Sequence, residues 1–506
     1  MISSNKRIAK NTIYLYARMI LIMAVQFFTI RVTLKYLGCE DYGIYNVVCG
    51  VTNVFTFLTH VMTSASQRFL AYDLGLGNIS KLKCTFDTLV SLFTLCGIVG
   101  VLLLGIVGTW FIKNQLVIPE ARLEAAIFAF YFTLLSLLVS LYVLPFNSLI
   151  VAHEDMKTFA YVSISDALLK LGVVYCVVII PFDKLKVYSF SIFIAYLIPS
   201  IIYVFYCNHN YSEVTWRRNV DWQLTKKLIP YMTWNLLGGL SWMLCTQGLS
   251  IVINIFFGPI ANAAKAIADK VSSSINGFSN NFMMAVQPQV VKTYAINDYS
   301  SMHKVIFLAS RMSFFLTMIL CIPVSICADE ILTIWLEEHD VLTTKMLQVV
   351  LMLSLVGALE VPINQAIRAT GNIRNYQVTT GLITLLVIPV AWLFFKFGYP
   401  AYYGYIALIL VYSIAFVTRI YFLKKQILIS YRVYFDEVLK SCFRCLMVSV
   451  LFYLAIILSH VADILHPILL WLCCVVLQVI IVITTGINKE EVDKFKSHIY
   501  TRIKSH

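Results

Sequence analysis

With 60% hydrophobic and 13% charged residues, this 506-residue chain cannot build a water-soluble surface, since soluble domains carry roughly 25% charged residues. Its formal charge of +13 would suit nucleic acid, but most of its Lys and Arg fall in loops that one topology places on the cytoplasmic side, the positive-inside pattern of a membrane protein. Continuous apolar runs, without period-two alternation, exclude a spanning β-barrel and predict an all-α bundle of about fourteen transmembrane helices, each needing roughly 20 apolar residues.

The first span, 11–36, carries Arg18 and Arg31, is long for a signal-peptide core and lacks a small-residue cleavage site, so it is expected to be retained. Asn11, Arg18, Gln26, Thr29 and Thr33 share one of its faces. Arg18 lies about two turns inside the inner boundary, where it either snorkels to the headgroups or binds an anion. The second span, 41–67, carries Asn46, Gly50, Asn53, His60, Ser64 and Gln67 at helical spacing. Spans follow at 83–108 and 123–150. His153-Glu154-Asp155, in the next inner loop, lacks the second His of a metal site. The fifth span, 159–181, holds Asp166 and Lys170 four residues apart, a self-neutralising pair or an ion-coupling site. The sixth, 187–207, leads into a basic loop at 208–227.

The seventh span, 228–257, has no Asp or Glu. The eighth, 259–286, and its end place Lys265, Asp269, Ser273, Asn276, Asn280 and Gln287 on one face. Spans at 303–327, 344–368, 376–397 and 401–423 complete twelve, and Glu360 in the tenth is a further candidate coupling acid. Two more, at 441–460 and 464–486, precede a charged tail. Cys442-Phe-Arg-Cys445 stands alone, without the second ligand pair that zinc needs. With an even span count, both termini are expected to be cytoplasmic.

The chain repeats itself. Pro145-Phe-Asn147-Ser-Leu-Ile150-Val-Ala152 ends the fourth span, and Pro362-Ile-Asn364-Gln-Ala-Ile367-Arg-Ala369 ends the tenth. One offset relates Gly38 to Gly258 and Gln67 to Gln287. Six spans is an even number, so the halves share orientation, as in parallel-repeat transporters. The expected organisation is an N-terminal six-helix lobe at 1–210, a second at 211–425, and two accessory helices with a tail at 426–506.

Polar groups inside a bilayer are costly and tend to face a water-filled cavity. The stripes on the second and eighth spans either line one shared cavity or hydrogen-bond between helices. Their full-span length favours the cavity, with Arg18, Gln26, Asn46, Asn53, His60, Lys265, Asn276 and Asn280 as its expected lining. Asp166, Lys170, Asp269 and Glu360 are the coupling candidates. No nucleotide-binding loop, zinc motif or dinucleotide fingerprint occurs. No cofactor, metal or enzymatic activity is expected, and an ion, potential or substrate gradient must drive any cycle.

Asn11-Thr12, Leu15-Tyr16-Ala-Arg18-Met19, Leu37-Gly38-Cys-Glu40-Asp41-Tyr42-Gly43-Ile44-Tyr45 and Gln67-Arg68-Phe69-Leu70 resemble the polysaccharide branch of the multidrug/oligosaccharidyl-lipid/polysaccharide (MOP) exporter superfamily, the Wzx-type flippases. The resemblance implies a MATE-like fold in the cytoplasmic membrane of a bacterium. It implies a substrate too, an undecaprenyl-diphosphate-linked oligosaccharide, with a polysaccharide polymerase and chain-length machinery as further partners. Two relatives remain as alternatives: a cation-coupled multidrug exporter and a lipid II flippase. Short outer loops disfavour a membrane glycosyltransferase or O-antigen polymerase.

Overall fold

The computed structural model describes residues 2–37, 39–114, 118–214, 220–336, 339–458 and 467–486, which are nearly all helical, with no strand among them. Among the described residues, eleven helical stretches are long and apolar enough to cross a membrane. The chain is a multi-pass membrane protein. Where their residues are described, the expected spans fall on helix except for one or two residues at the ends of several and a turn at Leu386 inside the eleventh. Trp222–Ala295 is two helices that meet at Gly258, whose φ of 75° and ψ of −171° break the helical path. Glycine reaches that conformation without a Cβ clash, so the expected seventh and eighth spans form two arms joined at this residue.

The chain divides into two compact units. Unit 1 comprises Met1–Leu236 and Val291–Asp298. It contains α1 (Ile2–Leu37), α2 (Cys39–Gly75), α3 (Ile79–Asn114), α4 (Glu120–Ala152), α5 (Met156–Ile179) and α6 (Lys184–Asn210). Within it α4 packs on α2, α3 and α6, and α1 packs on α5. Asp155 and Asp183 cap α5 and α6 by accepting from the amides of Thr158 and Lys186. The two arms joined at Gly258, together labelled α7 (Trp222–Ala295), begin at Asp221, which accepts from the amides of Gln223 and Leu224.

Unit 2 comprises Leu237–Val290 and Tyr299–His506. After the arms of α7 come α8 (Tyr299–Ile326), the short α9 (Ala328–Leu336), α10 (Val341–Thr370), α11 (Arg374–Leu385), α12 (Val387–Lys396) and α13 (Tyr403–Ile427). The accessory segment forms α14 (Tyr431–Tyr434), a π turn, α15 (Lys440–Leu458) and α16 (Pro467–Ile481). α16 packs on α8. The accessory helices therefore belong to the same compact unit as the second repeat, and unit 1 extends to Leu236. Ala261, Ala264 and Ala268 on α7 lie in the core with Leu347, Leu351, Tyr405 and Leu408. Small residues at that spacing let helices approach closely in lipid.

The repeated motif occupies equivalent places in α4 and α10. Pro145 and Pro362 are buried, Asn147 and Asn364 half-buried, and Ile150 and Ile367 buried again. A second equivalence appears where α2 meets the last turns of α7, inside unit 1. A Cβ on Gly75 would lie 2.8 Å from the Cα of Lys292 and 3.0 Å from the Cβ of Ala295. Gly75 and Ala295 stand at the same offset that relates Gln67 to Gln287, so equivalent residues of the two repeats meet here. Glu154 sits beside this crossing with its side chain fully buried. It pairs with Arg7 at 2.6 Å and with Lys292 at 2.8 Å. Asn11 donates to the Glu154 carbonyl at 3.0 Å.

The loop after α6 folds back onto the same turn. Tyr211 stacks on His153, with centroids 4.2 Å apart and planes 7° from parallel, and His153 Nε2 contacts the Glu213 carboxylate. Burial alone would raise the Glu213 carboxyl. The bonds from His153 and from its own backbone amide outweigh that and hold it below the usual carboxylate range.

Candidate transport site

The polar stripe expected on the eighth span splits into two faces. At about 100° per residue, Lys265, Asp269, Ser272 and Asn276 fall within about 60° of arc, and all four turn into unit 2. Lys265 is 7% exposed and donates to Asp269 Oδ2 at 2.7 Å. Asp269 Oδ1 accepts from the Tyr405 hydroxyl of α13 at 2.7 Å. Asn276 Nδ2 donates to Ser272 Oγ at 3.2 Å and to Ser354 Oγ of α10 at 3.3 Å. The two serine hydroxyls lie 2.8 Å apart. These groups hydrogen-bond between helices of one unit. Lys265 and Asn276, expected in a cavity wall, are placed here, with Lys265 neutralised by its own helix.

The neighbouring arc is exposed: Ala263, Ala266, Lys270, Ser273 and Asn280. Lys270 is twelve residues beyond Gly258, ~18 Å along the helix, and its ammonium has no ion-pair or hydrogen-bond partner among the described residues. A charged side chain at the centre of a membrane helix costs about 2.5–3.5 kcal/mol. A lipid-facing helix surface of Lys, Ser, Asn and Ala would bear that cost with no return.

By the offset that relates Gln67 to Gln287, the α2 positions Asn46, Asn53 and His60 match Ala266, Ser273 and Asn280. The α2 stripe thus has the register of the exposed arc of α7. His60 is exposed. The side chains of Asn46 and Asn53, like that of Arg31, lie outside the described residues, as does Gly38. Gln26 on α1 is exposed.

Unit 1 contains a second polar cluster, between α1, α5 and α6. Arg18 Nη1 donates to Ser163 Oγ at 3.4 Å, and its guanidinium lies 4.6 Å from the Phe159 ring centroid. Ser163 Oγ is 3.5 Å from the Tyr203 hydroxyl. One turn along α5, Lys170 Nζ donates to Asp166 Oδ2 at 2.7 Å and lies 5.4 Å from the Tyr196 ring. Asp166 Oδ1 is buried and has no hydrogen-bond partner among the described residues. Arg18 and the Asp166–Lys170 pair, far apart in sequence, thus belong to one cluster. Tyr203 and Tyr196, which bind it together, carry no signal in the sequence beyond being tyrosines in a span.

The remaining coupling candidate is a closed pair. Arg419 Nη1 of α13 donates to Glu360 Oε1 of α10 at 2.5 Å, with side chains 9% and 5% exposed. Helical spacing within one span could not pair residues from two helices. No group of three or more His, Cys, Asp or Glu among the described residues is arranged to hold a metal, and Cys442 and Cys445 are buried free thiols.

The MatE family model matches residues 240–393. No curated protein matches the sequence significantly. Among solved structures, a MATE in a bent conformation superposes with TM-score 0.74 at 12% identity, covering 84% of this chain and 95% of that one. A MOP superfamily transporter from Pyrococcus furiosus, described as having a binding pocket of reversed polarity that suggests a different function, gives 0.70 at 12%, covering 83% and 95%. An outward-facing multidrug resistance MATE transporter of the MOP superfamily gives 0.68 at 13%, with the same coverage. At such identities the likeness is one of architecture, and the fold of this chain is that of the MATE transporters of the MOP superfamily.

Proposed function

We propose that the protein is a flippase. It moves undecaprenyl-diphosphate-linked oligosaccharide units from the inner to the outer leaflet of a bacterial cytoplasmic membrane by alternating access. The exposed arc of α7, with Lys270 unpaired in mid-membrane, carries this reading. An anionic diphosphate supplies the partner that Lys270 lacks, through charge-assisted hydrogen bonds. Ser273 and Asn280 offer neutral hydrogen-bonding groups for sugar. Ala263 and Ala266 leave room for a bulky headgroup. The Asp166 carboxylate, with one oxygen unpartnered, is the acid proposed to take up a coupling ion. Polysaccharide polymerase and chain-length machinery are the proposed partners downstream.

The MATE likeness equally suits a cation-coupled multidrug exporter, and a lipid II flippase shares the superfamily. An unpaired lysine on the water-facing arc repels cationic drugs, which favours a lipid-linked anion. Lys270→Ala and Lys270→Glu decide the matter in cells lacking the native gene. Surface polysaccharide should fall at least tenfold, more for Glu than for Ala, while the protein stays in the membrane. Normal polymer with altered drug accumulation would establish the exporter reading instead.

A further inference from the structure

Unit 1 carries a cleft between α3 and α4 of about 680 Å³, within the roughly 300–1,000 Å³ range of small-ligand sites. Its shape comes from glycines. At Gly108 the helices cross so tightly that a Cβ would run into the Phe130 ring, and at Gly97 one would lie 3.1 Å from Leu138 Cδ1. Gly105, between them in sequence, meets nothing closer than Leu134 Cδ1 at 3.9 Å. The missing side chain leaves a trough whose walls are Leu102, Ile106, Leu134 and Leu135.

The lining changes character along its length. The end at Val101 and Leu102 is wholly apolar. One to two turns on, Thr109 Oγ1 and the Tyr131 hydroxyl lie 3.3 Å apart, with the half-exposed Trp110 beside them. The rim is Lys113 and Asn114. Asn114 donates its amide to the Trp110 carbonyl at 2.8 Å. Lys113 has no ion-pair partner among the described residues. Val101 to Asn114 spans thirteen residue steps, ~20 Å of helix rise, against roughly 15 Å for half of the hydrocarbon core. The trough therefore reaches from near the bilayer midplane to the headgroups of one leaflet, at the α3–α4 loop end.

We propose that this cleft is a binding site for one anionic glycerophospholipid. One acyl chain fills the trough over Gly105, the glycerol ester region meets Thr109 and Tyr131, and the phosphate meets Lys113. An ordinary lipid-facing surface presents convex apolar side chains. This one is concave and graded from hydrocarbon to hydroxyl to ammonium, in the order of a phospholipid's own parts. The site is separate from the arc of α7 and does not depend on the proposed transport activity.

The test is native mass spectrometry of the full-length protein released from micelles containing phosphatidylglycerol or phosphatidylcholine of identical chains. One phosphatidylglycerol should be retained in preference to phosphatidylcholine. Lys113→Ala should weaken its retention about fivefold, the equivalent of about 1 kcal/mol per basic residue at an anionic surface. Lys113→Arg should preserve it. Gly105→Leu, which fills the trough, should release both lipids. Equal retention of the two headgroups by the native protein would overturn the proposal, and so would unchanged retention in Lys113→Ala. Lys113 is exposed, so its substitution leaves folding intact and the outcome is readable even if Gly105→Leu expresses poorly.

Discussion

The pair between Glu360 and Arg419 allows two readings of a buried acid to be separated by measurement. Both side chains are at least nine-tenths buried, and Arg419 Nη1 meets Glu360 Oε1 at 2.5 Å. Removing one partner of a buried pair typically costs about 3–5 kcal/mol, because the other charge is left without compensation. The two single substitutions should differ. Arg419 cannot shed its charge, so Glu360→Gln leaves a cation stranded between α10 and α13 and should show the full loss. Arg419→Met leaves a carboxyl that can take up a proton and become neutral, a far smaller burden. The double variant, with no charge in the site, should recover most of the loss, giving a coupling energy of about 2–4 kcal/mol. Equilibrium unfolding in mixed micelles, followed by tryptophan fluorescence through an SDS titration, reads all four proteins. If Glu360 is instead a coupling acid held loosely by Arg419, Glu360→Gln should unfold within about 0.5 kcal/mol of the native protein while transport is lost. That result would refute the structural reading.

Two further expectations concern unit 1. Gly75→Ala places a Cβ 2.8 Å from the Lys292 Cα, a backbone atom that cannot rotate away. Overpacking of this kind costs about 1–3 kcal/mol, so the melting temperature of the detergent-solubilised protein should fall, and an unchanged one would contradict the crossing. Glu213→Gln weakens the His153 clamp on the α6–α7 loop, for a loss of about 1.5–3 kcal/mol at neutral pH. The folded-state value of this carboxyl is depressed. Its stabilisation is therefore complete above the unfolded value near 4.3 and is lost as pH falls through the folded one. The stability gap between native and variant proteins should close on acidification, and a gap constant with pH would count against the clamp.

The helices and the repeat were legible because they are written in long-range statistics. An apolar run of bilayer length has few other fates, and P-x-N-x-x-I-x-A at two helix ends carries the same burial pattern in both. Gly258 was visible only as the glycine between two runs; its backbone conformation was not. The unit boundaries were less so. That Val291–Asp298 sits with unit 1 while the rest of its arm lies in unit 2 depends on Gly75 and on Glu154, a residue that attracts notice in the sequence only as part of a failed metal motif.

The polar stripe on α7 shows why site residues are harder to read than spans. Periodicity gathers Lys265, Asp269, Ser273, Asn276 and Asn280 onto one side, but a side is wider than a contact. Whether a residue at one edge of that arc faces water or a neighbour depends on what the neighbour offers at the same height. Tyr405 and Ser354 settle it for Asp269 and Asn276, and both come from helices more than 75 residues away in sequence. Lys265 and Lys270 look equivalent as basic residues in one span. Asp269 lies four residues from the first and adjacent to the second, so helical geometry pairs it with Lys265 and leaves Lys270 with no acid at that spacing. An i, i+4 acid thus separates a lysine held by its own helix from the one proposed to meet a substrate. The same reasoning places Lys170 with Asp166.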